Sequence, residues 1–375
     1  MRKFILGIFL LSVISFVAGC KKKAPTPKPT AIKIGVVGPF TGPLSADAYS
    51  ILEGVKLAVD EVNAKGGINN MKVEIVTGDD MANPARAVKV ADSLASDRNV
   101  LAIIGHYNSS CTIAASYVYN RHGVVAISPA STSPRITEAG KYIFRVCPSD
   151  AQQGKELGRF ATKTLGKRRI AIIYDNDDYG KGLKYCFSME AKRAGADIVA
   201  EIPYGEDIAD RVRRLVGLKP DLIFVACVMS SAAKVCRALH ELPLEATILG
   251  GDGMISDEFR RRAGVACEGV IHTVFFHPDL PGAREFVRKY ESKYGHAPGG
   301  WAALAYDATN AVLKAMKEVG INREAIRDYL ASLGTTRPPL HGVSGDIAFD
   351  AFGDIVREIL FAQVRNGNPE IIKVK

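Results

Sequence analysis

No two cysteines of this chain stand in a CxxC pair, tryptophan occurs once, and no apolar run beyond the first twenty residues is long enough to cross a bilayer. The longest later run, Leu222 to Met229, suits a buried strand. No GxGxxG follows the opening strand: Gly35-Val36-Val37-Gly38 runs into Pro39, which argues against a dinucleotide site. Walker loops and GxSxG elbows are missing as well. His272 and His277 have no zinc-motif spacing, and Asp175, Asp177 and Asp178 lack the glycine and distal glutamate of an EF-hand. Ser231-Ala232-Ala233-Lys234 matches SxxK, but it reads more simply as a helix start capped by Ser230 or Ser231 with a solvated Lys234. Nothing supplies a nucleophile with its base, so no catalytic residue, metal or cofactor is expected.

What is present suits a folded binding body. Of 375 residues, 47% are apolar, enough for a sizeable core, and the length suggests two domains. Glycine and proline together make up roughly one residue in seven, well below the share of low-complexity chains. The formal charge of +9 would invite a nucleic-acid partner if it sat on the body. It does not. Arg2, Lys3, Lys21, Lys22, Lys23 and Lys28 supply six of the nine charges in a stretch without an acid, so no nucleic acid is expected.

That stretch has its own logic. Arg2 and Lys3 precede an apolar run from Phe4 to Gly19, the layout of a secretory signal over residues 1–19. Val17-Ala18-Gly19-Cys20 resembles the lipobox of bacterial lipoproteins, in which the cysteine is lipidated and becomes the new N-terminus. Residues 20–30 then read as a lipid-anchored tether, with Pro25, Pro27 and Pro29 favouring extended backbone. The expected location is exported, periplasmic or at the cell surface, held to the membrane through Cys20 rather than spanning it. Of the other six cysteines, several fall in core-like stretches, where cysteine behaves as a small apolar residue; mostly free thiols are expected.

From Ile32 onward short apolar runs alternate with helical patterns. Strands are expected near 32–37, 72–77, 100–104, 124–127 and 142–145, and again near 169–174, 197–202, 221–227, 246–249 and 269–274. Helices are expected at 50–63, 84–96, 110–121, 151–165, 180–194, 207–217 and 231–241. This rhythm implies right-handed crossovers and α/β architecture with two doubly wound parallel sheets. Beyond 274, helices at 281–293, 299–319 and 323–332 lack intervening strands, and a strand-turn-strand tail covers 346–374. Such helices should return to an existing sheet, which predicts discontinuous lobes.

Polar loops of small residues recur at the carboxyl ends of these strands, the edge where open parallel sheets bind ligands. They are Gly105 to Ser110, Ser128 to Ser133, and Gly250 to Gly253. Ser109 and Ser110 open a helix whose free N–H groups suit a carboxylate. Thr132 offers a hydroxyl, and Asp252 is an anion among glycines. Each also has an ordinary reading as a cap or turn residue. Together, donors on one lobe and a carboxylate on the other would complement a zwitterion.

At these residues the chain resembles the type I periplasmic binding proteins of branched-chain amino acid ABC transporters, the Leu/Ile/Val-binding family. The resemblance runs over about 31–374 and includes Ile34 to Pro43, Asn63 to Ile68, Ile104 to Thr112, Val125 to Thr132, Ile172 to Gly182, Gly250 to Gly253 and Ala305 to Ala308. It implies two lobes, 31–150 with 276–353 and 151–275 with 354–375, joined by three crossovers and closing on an amino acid or related small carboxylate. It implies an ABC permease as partner and no chemistry. It places Ser109 and Thr132 on the ligand carboxylate, Ala130 and Asp252 on the ammonium, Ser131 beside them, and Tyr179 as a cover from the second lobe. The chain departs from members that bind aliphatic amino acids by carrying Val228, Met229 and Ser230 after the strand near 221–227. Two other readings compete: a clamp reporting ligand to a signalling receptor, and, more remotely, a serine hydrolase built on the 128–133 loop.

Overall fold

The structure, a computed structural model, describes residues 31–372. The signal over 1–19, Cys20 and the tether over 20–30 lie outside the described residues. Two parallel sheets organise the rest. The first contains β1 (Ile32–Gly38), β2 (Val73–Asp79), β3 (Val100–Ile104), β4 (Val125–Ser128) and β5 (Ile143–Arg145) in the order β2-β1-β3-β4-β5. The second contains β6 (Arg169–Tyr174), β7 (Asp197–Pro203), β8 (Leu222–Ala226), β9 (Thr247–Gly250) and β10 (Ile271–Val274) in the order β7-β6-β8-β9-β10. Strands buried on both faces are near-continuous apolar runs, as Val100-Leu101-Ala102-Ile103-Ile104 and Leu222-Ile223-Phe224-Val225-Ala226 are here. The strand order reverses beside β1 in the first sheet and beside β6 in the second, which opens a crevice at the carboxyl edge of each.

The chain crosses between the lobes three times. After β5 it enters the helix Asp150–Arg159, capped by the Ser149 hydroxyl, which accepts from Gln152 N. After β10 it returns, and the helix Gly300–Val319 lies against the helix Ser45–Ala64 of the first lobe. The approach is close enough that a Cβ at Gly54 would stand 2.1 Å from the Ala302 carbonyl oxygen, so only glycine fits there. The β11 (Leu340–Gly342) and β12 (Gly345–Ile347) hairpin follows. The third crossing leads to β13 (Leu360–Arg365), antiparallel to β10, and β14 (Asn368–Ile371), antiparallel to β13.

Arg145 ties these crossings together. Its guanidinium donates to both Asp354 oxygens at 2.6 Å, to the carbonyls of Thr132 and Ser133 at 2.9 and 2.8 Å, and to the Thr137 hydroxyl at 2.8 Å. All five donors of the fork are used, on a side chain with no solvent exposure.

Several expectations shift. The first helix starts at Ser45 rather than 50, because Leu44 and Ala48 join the core and Asp47 is buried beneath Tyr107. The helix expected over 151–165 is α-helical to Arg159 and widens to a π turn over Phe160–Thr164. The helix expected over 207–217 is two short pieces, Ile208–Arg213 and Leu215–Leu218. Ser230 and Ser231 cap nothing: the helix Met229–His240 starts after Val228 without a side-chain cap, and its entry is held from another strand end. Asp175 Oδ2 accepts from Val228 N and from the Ser231 hydroxyl, both at 2.8 Å. The six cysteines of the described residues are all free thiols, five of them buried.

Candidate functional site

The loops at the carboxyl ends of β3, β4, β8 and β9 meet across the lobes around a narrow cavity. Tyr107, Asn108, Ser109, Ala130 and Trp301 line it from the first lobe; Tyr179, Val228, Asp252 and Gly253 line it from the second.

The first lobe contributes neutral donors. Ser109 is the first residue of the helix Ser109–His122; Cys111 N and Thr112 N bond to the Asn108 carbonyl, which leaves the N–H groups of Ser109 and Ser110 as the helix's free amides. Ser109 Oγ accepts from Ser133 N at 3.2 Å and keeps its own proton to donate. Beside it, the Ser128 hydroxyl accepts from Ala130 N at 3.2 Å and Ser131 N at 2.8 Å, which turns the backbone and fixes the position of Ala130.

The second lobe contributes acid. Asp252 follows β9 and is only 2% exposed. Gln153 Nε2 donates to its Oδ1 at 2.8 Å, the Tyr179 hydroxyl donates to the same oxygen at 3.1 Å, and Gly253 N donates to the Tyr179 hydroxyl at 3.1 Å. The Gln153 carbonyl in turn accepts from Asp252 N at 2.9 Å and the Thr273 hydroxyl at 2.5 Å. Burial pushes the Asp252 carboxyl up to about 6, against the pull of the Gln153 and Tyr179 hydrogen bonds. Asp150 shares Gln153 Nε2 at 3.0 Å, and burial together with the neighbouring Asp252 charge pushes its carboxyl up as well. Two carboxyls in one desolvated corner favour a cation between the lobes.

Ser109, Ala130, Tyr179 and Asp252 therefore come together around one cavity. Ser131 and Thr132 are not among the lining residues. The Ser131 hydroxyl is engaged with Thr112 Oγ1 at 2.7 Å and with the carbonyls of His106 and Tyr107 at 3.1 Å, holding the two loops to each other. The Thr132 hydroxyl is buried against the Asp150 carboxyl, which it helps to hold down. The hydrolase reading fails on the same geometry. Both ring nitrogens of His106 are engaged, Nδ1 with Asp80 at 2.7 Å and Nε2 with the Tyr119 hydroxyl at 2.8 Å, and the Ser128 and Ser131 hydroxyls meet only its backbone carbonyl. Gln153, Trp301 and Asn108 carried no expectation as site residues. Gln153 reaches the site from the crossover helix and Trp301 from a helix nearly two hundred residues after Asn108, separations that local patterns do not register.

A larger, open groove lies between the helices Ser45–Ala64 and Gly300–Val319 and the β11–β12 hairpin. It lies within one lobe, without residues from the strand-end loops.

The family model described as periplasmic binding protein matches residues 31–369. Among curated relatives, a Leu/Ile/Val-binding protein homolog of Brucella suis is 32% identical over 330 residues, 86% of this chain and 87% of the relative. An amino acid binding protein of Pseudomonas aeruginosa is 32% identical over 335 residues, again 86% and 87%. Among solved structures, the leucine-binding protein LivK of Thermotoga maritima superimposes with a TM-score of 0.85 at 30% identity, covering 92% of this chain and 98% of that one. The branched-chain amino acid transporter substrate-binding protein LivJ of Streptococcus pneumoniae, solved with isoleucine, has a TM-score of 0.85 at 29% identity, covering 92% and 100%.

Proposed function

Since this chain belongs to the periplasmic binding protein family, we propose that it is an extracytoplasmic solute-binding lipoprotein that closes on an α-amino acid and delivers it to an ABC importer. The observation that carries this reading is a single cavity with a free helix start at Ser109 on one lobe and the Asp252 carboxylate on the other. The guest's carboxylate takes the Ser109 hydroxyl and the amides of Ser109 and Ser110. Its ammonium takes Asp252 and the Ala130 carbonyl, and Tyr179 covers it while bridging to Asp252 and Gly253. Gln153 and Tyr179 both act on Oδ1, which leaves Oδ2 to accept from the ammonium.

The energetics suit reversible capture. Charge-assisted hydrogen bonds contribute roughly 1.5–3 kcal/mol each, so about four of them sustain micromolar binding after closure is met. A buried zwitterion needs both ends paired, or desolvation defeats it. Binding requires no bond to be made or broken.

The lobes are taken as 31–150 with 276–353 and 151–275 with 354–375, with Cys20 lipidated and the 20–30 segment as tether. The test is mass spectrometry of the small molecule that copurifies, followed by calorimetry of the emptied protein against the common amino acids. An α-amino acid should copurify and rebind with a micromolar or lower dissociation constant. Failure of every amino acid to bind sinks the reading. Cys20→Ser should move the protein from the membrane fraction to the soluble fraction, and an unchanged distribution rejects the anchor.

A further inference from the structure

Of the residues lining the cavity, two carry a buried polar side-chain atom without a hydrogen-bond partner: Asn108, through Oδ1, and Trp301, through Nε1. Both residues are more than nine-tenths buried, at 8% and 2% exposure. Such atoms are rare because burying them unpaired is costly.

Neither has a local use. Asn108 is the N-cap of the helix Ser109–His122, with extended backbone at φ −79° and ψ 134°, where an asparagine oxygen ordinarily accepts from the first-turn amides. It makes no such bond. Trp301 is the second residue of the helix Gly300–Val319, and its ring meets Tyr107 edge to face at 5.6 Å. The Tyr107 hydroxyl is directed to Asp47 Oδ2 at 2.8 Å and takes no bond from the indole.

An indole N–H only donates, and an amide carbonyl oxygen only accepts. A single guest group answers both when it accepts and donates together, as a hydroxyl or a carboxamide does. An alkyl group answers neither. A charged group finds no counter-ion among Tyr107, Asn108, Val228 and Trp301, and the acid of this site, Asp252, is matched to the ammonium. Resting on the amino-acid reading above, we propose that the guest is a neutral α-amino acid whose side chain ends in a hydroxyl or carboxamide, read by Trp301 Nε1 and Asn108 Oδ1. This departs from the aliphatic ligands in the names of its relatives.

Near-isosteric pairs test it: calorimetry of the emptied full chain with threonine against valine and with asparagine against leucine. The polar member of at least one pair should bind more tightly by a factor of about ten or more. Trp301→Phe, which keeps a ring and loses the N–H, should lower the polar-to-apolar affinity ratio by about tenfold, and Asn108→Leu should lower it likewise. Valine and leucine binding as well as or better than their polar counterparts overturns the proposal, while the amino-acid reading stands. Equal affinities within both pairs, as waters on the two atoms would give, overturn it too. Failure of all amino acids sinks both readings. A polar preference that survives in both variants removes these two residues as its source.

Discussion

The two lobes share one strand order, β2-β1-β3-β4-β5 and β7-β6-β8-β9-β10, and each presents its strand-end loops to the same cavity. Their chemistry is opposite. The first lobe offers hydroxyls, amides and a carbonyl at Ser109, Ser110 and Ala130, whereas the second offers Asp252, reached by Gln153 and Tyr179, with Asp150 and Asp175 buried nearby. Topology fixes where ligand groups stand, because the crevice opens where strand order reverses. Which charge stands there is a matter of single residues on loops, which the sheet does not constrain.

The largest expected effect comes from breaking the tie between the lobes. Arg145→Met removes a buried fork and leaves Asp354 without its ion pair, and should cost about 3–5 kcal/mol in chemical denaturation. A loss under about 1 kcal/mol would mean that the crossings hold without it. Next comes the contrast between the lobes themselves. Asp252→Ala should weaken amino-acid binding by about 1.5–3 kcal/mol, roughly 10- to 150-fold, whereas Ser109→Ala, which removes one neutral donor, should cost only about 0.5–1.5 kcal/mol. Calorimetry that ranks Ser109→Ala above Asp252→Ala breaks the division into a neutral lobe and an acidic one.

Acidity sharpens the same contrast. An unfolded aspartate ionises near 3.9, while burial raises Asp252 to about 6, so between these values the unfolded chain loses its proton first. The ligand-free protein should therefore lose stability from this group as pH rises through that window. An ammonium favours the ionised carboxylate and reverses the penalty, so affinity should fall as pH drops through about 6, approaching about tenfold per unit, with protons released on binding below that point. Calorimetry in two buffers of different ionisation enthalpy measures the release, and affinity that is flat from pH 5 to 7 rejects it. Smallest is the exposed ion pair across the lobes, Arg135 with Asp178. Arg135→Ala should change affinity and stability by less than about 1 kcal/mol, since water and salt already screen the pair. A larger effect would make it a latch.

Legibility followed range. The helices expected over 84–96 and 323–332 and the strands over 100–104 and 169–174 have the expected limits, because apolar period and capping residues such as Asn83 and Asn322 act within a few positions. Ser109, Ala130 and Asp252 could be singled out because polar, small-residue loops at strand ends mark the ligand edge. The hairpin at 340–347 and the helix Asp257–Ala263 went unrecognised: three-residue strands and a seven-residue helix carry too little periodicity. Gln153 had no signal at all. It is an ordinary helical glutamine until the crossover sets it 2.8 Å from Asp252.

The sequence by itself determined two parallel α/β sheets, discontinuous lobes, the absence of familiar catalytic motifs, and which loops border the cavity between the lobes, since periodicity and strand-end chemistry are local. Only the tertiary structure decided which of those loop residues line one cavity, that Ser131 is spent on holding loops together, and that Trp301 and Asn108 line that cavity too. Those facts depend on closure of two lobes built from interleaved stretches of chain, and the free energy of a buried polar atom is set by whatever distant neighbour reaches it.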